Sequence, residues 1–254
     1  MIITWYGTAS VSVETENGKI LFDPFLPLPG SRADIGLRDF RGYRNVVITH
    51  AHPDHIGNLP ELFGDEKREV YGTKAVTGAL TEMGLPSGHL HTVSPGDVLS
   101  FGDITVTVYK GHHIRYDAGL LLRTFFSMRM IRHWKNLTLL GKMNRICRER
   151  GETVGYLIEA EGKRIFLLGS LGLDPGTAYP EGTDLLILPY QGASNLLTPA
   201  LEVIRRLKPK AVLLDHFDDT FPPLSADIDP GELERALSGK IPLIVPERKK
   251  GIEL

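Results

Sequence analysis

Between residues 50 and 55 the chain reads His50, Ala51, His52, Pro53, Asp54, His55, four side chains able to bind a metal within six positions. In a chain of this composition such an arrangement arises by chance with odds on the order of one in a thousand. Alternate residues of an extended segment point the same way, so His50 and His52 reach one ion together. Asp54 and His55 lie past a turn stiffened by Pro53 and face a neighbouring position. The competing account is a set of solvated histidines capping a helix that begins near Ile56, but a cap needs one short polar side chain and not four donors. His89, His91 and His133 are expected at the surface or at helix ends. No Ser-His-Asp or Cys-His arrangement competes with the cluster, and no Gly-rich phosphate loop is visible.

The cluster needs elements to hold it. Ile2–Tyr6, Ser10–Glu14 and Lys19–Phe22 read as short strands separated by turn signals at Gly7 and Asn17-Gly18. Another strand-like run, Asn45–Thr49, delivers the chain to His50, so the donors sit on a strand-to-helix loop. Glu69–Tyr71 and His91–Val93 read as strands and Lys74–Met83 as a helix. Leu99–Tyr109, turning at Gly102, forms a hairpin that runs into His112 and His113. Four more apolar strands follow at Gly155–Glu159, Arg164–Leu168, Leu185–Leu188 and Ala211–Leu214, with a helix capped by Thr198, opened by Pro199 and ending near Leu207. Strands first, then strands alternating with helices, predict two sheets packed face to face with helices outside.

With 254 residues, 42% of them hydrophobic, the chain can bury a substantial core, and no linker interrupts it, so one domain over 1–254 is expected. A net charge of −2 gives no global reason for nucleic-acid or membrane binding. The single cysteine, Cys147, cannot form an internal disulfide and fits a reducing compartment. The first residues alternate apolar and polar without a signal peptide's basic and apolar regions, and no apolar run reaches the roughly 18 residues of a spanning helix. A cytoplasmic protein is expected. The stretch at about 120–150 breaks the pattern: residues 123–150 hold eight Lys or Arg and one acid, Glu149, interleaved with Phe125, Phe126, Met128, Met130, Ile131, Trp134, Leu139 and Leu140. It reads as an inserted, basic, amphipathic helical segment.

The His50–His55 signature resembles that of the metallo-β-lactamase superfamily, in its lactonase-like and phosphodiesterase-like hydrolase branch. The resemblance extends over LFDPF with Asp23, the hairpin ending in KGHH, the runs GYLIEAEGKRIFLLGS and DLLILPY, and the final LLDH. It implies an α/β (α+β) fold, a four-layer αββα sandwich of two mixed sheets flanked by helices, with the site on loops at one edge of the sheets. It also implies that His50, His52 and His113 bind a first ion and that Asp54, His55 and His216 bind a second. Asp23 is implied as an acid that orients the ligand loop. His113 is preferred to His112 because the family's ligand stands two residues after the small residue ending the strand, here Gly111.

One position departs from this pattern. The family usually places a bridging aspartate after the glycine that follows the strand Arg164–Leu168, and this chain has Gly169-Ser170. A hydroxyl is a poor substitute for a bridging anion, so either the second ion is held weakly or another carboxylate compensates. Asp218 is the expected replacement, with Asp219 beside it and Asp174 as a further candidate. The implied cofactor is zinc, one or two ions, with manganese or iron as alternatives. Water activated on the metal would attack an ester, lactone or phosphodiester, with Asp54 as the catalytic group that orients it and carries a proton. The basic segment suggests a small anionic substrate. Its apolar residues admit a lipid surface or a second copy of the chain as partners. Nucleic acid is not expected, although the superfamily includes RNA-processing nucleases, and a non-catalytic metal-binding relative is the other alternative.

Overall fold

The computed structural model describes residues 1–114 and 127–254. Six strands come first: β1 (Ile2–Gly7), β2 (Ser10–Glu14), β3 (Lys19–Phe22), β4 (Asn45–Val47), β5 (Glu69–Gly72) and β6 (Leu90–Thr92). Seven follow: β7 (Val98–Phe101), β8 (Ile104–Lys110), β9 (Val154–Ala160), β10 (Lys163–Leu167), β11 (Leu185–Pro189), β12 (Val212–Asp215) and β13 (Leu243–Ile244). The last strand, β14 (Gly251–Glu253), returns to pair with β1. The two sheets have the orders β14-β1-β2-β3-β4-β5-β6 and β13-β12-β11-β10-β9-β8-β7.

Each sheet repeats one plan. β1, β2 and β3 form an antiparallel meander, and β4, β5 and β6 add to it in parallel. β8, β9 and β10 form the second meander, and β11, β12 and β13 add in parallel. Because β3, β4, β8, β10 and β12 all run the same way within their sheets, their C-terminal ends, and the loops that follow, gather at one edge. Parallel strands need crossover connections, and the helices α1 (Pro53–Ile56), α2 (Leu59–Asp65), α3 (Lys74–Glu82), α6 (Leu197–Leu207) and α7 (Gly231–Leu237) supply them or pack beside them. The remaining helices, α4 (Met128–Arg132) and α5 (Trp134–Ile146), lie between β8 and β9.

Alternating residues of the two inner faces make the central core, among them Ile3, Trp5, Phe22, Val47, Val106, Tyr156, Ile158, Ile165, Ile187 and Leu213. The outer face of the first sheet packs on α1 to α3 through Val46, Ile48, Ile56, Leu62, Val76 and Leu80. The outer face of the second packs on α6 and α7 through Phe166, Leu186, Leu188, Val203, Leu207, Leu233 and Leu237. This is the expected four-layer sandwich, and most predicted strands fall within a residue or two of their observed bounds.

The helix after β11 differs from expectation at its start. It begins at Leu197, and the Thr198 amide donates to Asn195 Oδ1 at 3.2 Å, so Asn195 provides the capping oxygen and Thr198 lies inside the first turn. The basic segment is helical as expected, with residues 120–126, including Arg123, Phe125 and Phe126, outside the described residues. Its inner side is firmly seated. Asn136 is buried and donates to the carbonyls of Pro29 and Pro222 at 2.9 and 2.8 Å, and Leu140 packs with Phe25, Leu28 and Phe221.

Two hydrogen bonds from β9 reach the chain just before the donors: the Val154 amide donates to the Thr49 carbonyl at 3.0 Å, and the buried Tyr156 hydroxyl donates to the Ile48 carbonyl at 2.6 Å. Removing that donor leaves a carbonyl stranded between the sheets, at a cost of about 1–2 kcal/mol. Tyr156→Phe should therefore lower the unfolding free energy by roughly that amount in chemical denaturation, with an unchanged m-value, because the aromatic packing survives.

Candidate metal centre

β4 ends in Val47 and hands over to an extended stretch whose conformation is set by one carboxylate. Asp23, just beyond β3, is 1% exposed and accepts from the Thr49 amide at 2.8 Å and the Thr49 hydroxyl at 2.7 Å. His52 then occupies the N-cap of α1 with Pro53 in its first turn, so Asp54 and His55 are carried on the opening turn of a short helix. Gly169 allows the end of β10 to pass against this loop, since a Cβ there would stand 2.6 Å from the Thr49 Cβ and 2.5 Å from the Val154 carbonyl.

The loops after β4, β8 and β12 bring two triads of donors together: His50, His52 and His113, and Asp54, His55 and His216, each with its ligand atoms within 4.8 Å of one another. His50 Nε2 lies 3.0 Å from His52 Nδ1, and His55 Nε2 lies 3.4 Å from His216 Nε2 and 3.8 Å from Asp54 Oδ2. Donors bound to one tetrahedral zinc at 2.0–2.1 Å stand about 3.3–3.4 Å apart, so the spacing suits a metal ion in each triad. The two triads adjoin, with the His50 and His55 rings 3.9 Å apart between centroids. His50, His55 and His216 are buried, whereas His52, Asp54 and His113 are partly exposed and form the open side of the site.

The protonation states favour ligation. Burial, reinforced by the neighbouring histidines, holds His50 well below the ordinary histidine range. Burial brings His52 down to about 4 against the pull of Asp54, and lowers His113 as well, so all three carry free lone pairs at neutral pH. Second hydrogen bonds turn the rings: His50 Nδ1 is 3.0 Å from the Thr49 hydroxyl, and His113 Nδ1 donates to the Ile114 carbonyl at 2.7 Å, which leaves each Nε2 facing the site.

The second triad differs in charge. Asp23 Oδ2 stands 3.1 Å from His55 Nδ1, and Asp215 Oδ2 stands 3.2 Å from His216 Nδ1. Burial opposes a charge on His216, yet Asp215, with Asp54 and Asp23 behind it, outweighs burial and pushes its pKa up to about 9. Asp54 itself is held below the usual carboxylate range, because the attraction of His55, His52 and His216 exceeds the penalty of burial. Positive charge is thus favoured in the second triad, where three carboxylates converge, over the first, which is backed by a hydroxyl and a carbonyl.

Asp218 does not take the place expected for it. Its Oδ1 accepts from the Thr8 amide at 2.9 Å, which holds the chain after β12 against the turn after β1, and its Oδ2 pairs with the partly exposed Arg248 guanidinium at 2.8 Å. Asp219 binds Arg129 at 2.7 Å, and Asp174 binds Lys110 at 2.9 Å. Among the described residues no carboxylate stands in for the one Ser170 lacks. The Ser170 hydroxyl instead accepts from the Ile114 amide at 3.1 Å and so fastens the segment that carries His113. His112 is exposed and outside both triads. Sequence reasoning passed over Thr49 and Asp215, although each stands directly before a histidine of the site. It also passed over Glu149 as a neighbour of the site, whose charge acts on His52 and His113.

The model of a family described as "Beta-lactamase superfamily domain" matches residues 19–217. A UPF0173 metal-dependent hydrolase of Carboxydothermus hydrogenoformans is 25% identical over 97% of this chain and 97% of its own length. Another, of Cupriavidus taiwanensis, is 28% identical over 96% of this chain and 84% of its own. The solved structure of Igni18, a metallo hydrolase from Ignicoccus hospitalis, superposes with a TM-score of 0.64 at 21% identity, covering 99% of this chain and 97% of that one. Zinc-bound PqqB from Methylobacterium extorquens gives 0.61 at 15% identity over the full length of both. These two likenesses bear on the fold, while the family match spans every donor from His50 to His216: the chain belongs to the beta-lactamase superfamily.

Proposed function

We propose that this chain is a metal-dependent hydrolase that cleaves an ester, lactone or phosphodiester. The observation that carries the reading is the pair of adjoining donor triads, each spaced for a metal ion and open on the side of His52, Asp54 and His113. The nitrogen and carboxylate donors suit zinc, with manganese or iron as alternatives. A divalent ion there supplies Lewis acidity, which brings the pKa of water down to about 7 and offsets the charge of a developing oxyanion.

The residues do the rest. Asp54 is ionised and partly exposed, so its free oxygen can hold the attacking water, accept a proton from it and return that proton to the oxygen of the departing group. His50, His55 and His216 are fixed from behind by Thr49, Asp23 and Asp215 and act as rigid donors. A small anionic substrate is favoured by the ions themselves. Arg129 is drawn away from that role, since its Nη2 donates to both oxygens of Asp219 and to the Ser225 carbonyl.

Turnover of a panel of aryl phosphodiesters, aryl esters and lactones by protein loaded with zinc, manganese or iron tests the reading. Metal uptake with no turnover of any of them would favour a non-catalytic relative, and cleavage of RNA alone would favour a nuclease. His52→Ala should lose the ion of its triad and lower turnover by more than about a hundredfold while the protein stays folded by circular dichroism, because substitutions behind a ligand already cost 10- to 100-fold. Retained stoichiometric metal and activity would remove the site assignment.

The charge asymmetry makes a second prediction. Under increasing chelator the protein should give up one ion before the other, and the retained ion should be lost in Asp54→Asn and kept in His113→Ala. The opposite pattern would overturn the order of the sites. Ser170→Asp should raise metal content toward two ions per chain by placing an anion near both. Asp218→Asn should leave metal content unchanged and lower Tm by a few degrees, because it breaks the partly buried pair with Arg248.

A further inference from the structure

The seating of α4 and α5 leaves one side unexplained. Asn136, Leu140 and Met143 of α5, with Cys147 just past its end, recur at helical spacing and form an inner stripe, buried or partly buried. At the junction with α4 the His133 ring lies against Gly30, where a Cβ would meet it at 2.4 Å. The opposite side of the helix pair faces outward. Eight large apolar side chains are exposed among the described residues, and Met128, Ile131, Trp134 and Leu139 are four of them, at 77, 68, 58 and 42%. They crowd into a dozen positions of the chain.

Charge accompanies them. Residues 127–148 contain no Asp or Glu, and Arg132, Lys135, Lys142, Arg145 and Arg148 are all exposed. Among the described residues none of these five forms an ion pair. This is a concentrated cationic surface on a chain whose net charge is −2. It is the outer face of two helices, whereas a site for a small anion is ordinarily a cleft. A second copy meeting it about a two-fold axis would bring like charges together. A tryptophan and long aliphatic side chains within a rim of Lys and Arg match an anionic lipid surface, where indole and methyl groups enter the headgroup boundary and cations meet the phosphates.

We propose that the outer face of α4 and α5 docks on an anionic lipid bilayer. The proposal does not depend on the hydrolase reading. The same helix pair borders the donor loop on its inner side, with Met143 against Gly57 at the end of α1. Docking at this face sets the site beside the membrane surface without any segment crossing it, in keeping with the absence of a spanning helix among the described residues.

The chain has two tryptophans, and Trp5 is 2% exposed and stacked on Phe217 at 4.7 Å, so a change in emission on binding reports Trp134. Intact protein titrated with phosphatidylcholine vesicles and with vesicles containing phosphatidylglycerol should show a blue shift and co-sedimentation with the anionic vesicles, weakened by salt. R132E with K135E should reduce the partition coefficient at least about tenfold, and M128S with I131S should abolish the shift. Both pairs are exposed and leave the inner stripe intact, so circular dichroism should match the parent. No binding to anionic vesicles, equal binding to neutral ones, or a blue shift that instead follows protein concentration or added RNA would overturn the proposal.

Discussion

A carboxylate buried between two sheets must have its lone pairs filled, and Asp23 meets that requirement in a way that shapes everything around it. One oxygen takes the Thr49 amide, the other takes the Thr49 hydroxyl and faces His55 Nδ1. An unpaired anion at 1% exposure would be strongly unfavourable, so the loop after β4 is held to the conformation that satisfies it. The Thr49 hydroxyl, spent as a donor on Asp23, is left as an acceptor and is 3.0 Å from His50 Nδ1. One anion thereby orients a donor in each triad, and it does so from the sheet that also carries the histidine loop.

The two sheets contribute unequally to the site. The first supplies a contiguous run of donors and Asp23. The second supplies isolated residues, His113 after β8, Ser170 after β10 and His216 after β12, brought to the same edge because these strands run in parallel within their sheet. The repetition of the strand plan explains why two triads lie side by side, and the placement of Asp23 and Asp215 explains why they are not equivalent. Ser170 adds nothing to the charge between them. Its bond to the Ile114 amide gives it a positional task, holding the His113 segment near the ligand loop.

Much of this was legible in the chain because the informative patterns were local. The spacing of His50, His52, Asp54 and His55 fits a strand end followed by a helix turn, and the apolar alternation of the meanders marks most strands. His113 and His216 were legible only through the family resemblance, since their partners lie far away in sequence. What was misread depended on distant claimants. Asp218 looked available until Arg248, thirty positions on and in no recognisable element, is seen to hold it. Arg129 belongs to the basic segment that suggested an anionic substrate, and it pairs with Asp219. β13, with two residues, and β14, with three, are too short to show periodicity and exist only because a neighbouring strand offers its edge.

The pairing of β14 with β1 has a consequence for how the molecule is made. Ile2 is opposite Glu253, and the Leu254 amide donates to the Met1 carbonyl at 3.1 Å, so the outer strand of the first sheet can pair only after every strand between the two has been made. Until then a nascent chain emerging from the ribosome carries β1 with one row of amides and carbonyls open, next to the strongly apolar residues Ile3 and Trp5. Such an edge is a template for pairing with other chains, and long-range closure of this kind slows folding. Removing Gly251–Glu253 would leave the β1 edge bare, so β14 works as a built-in guard against aggregation.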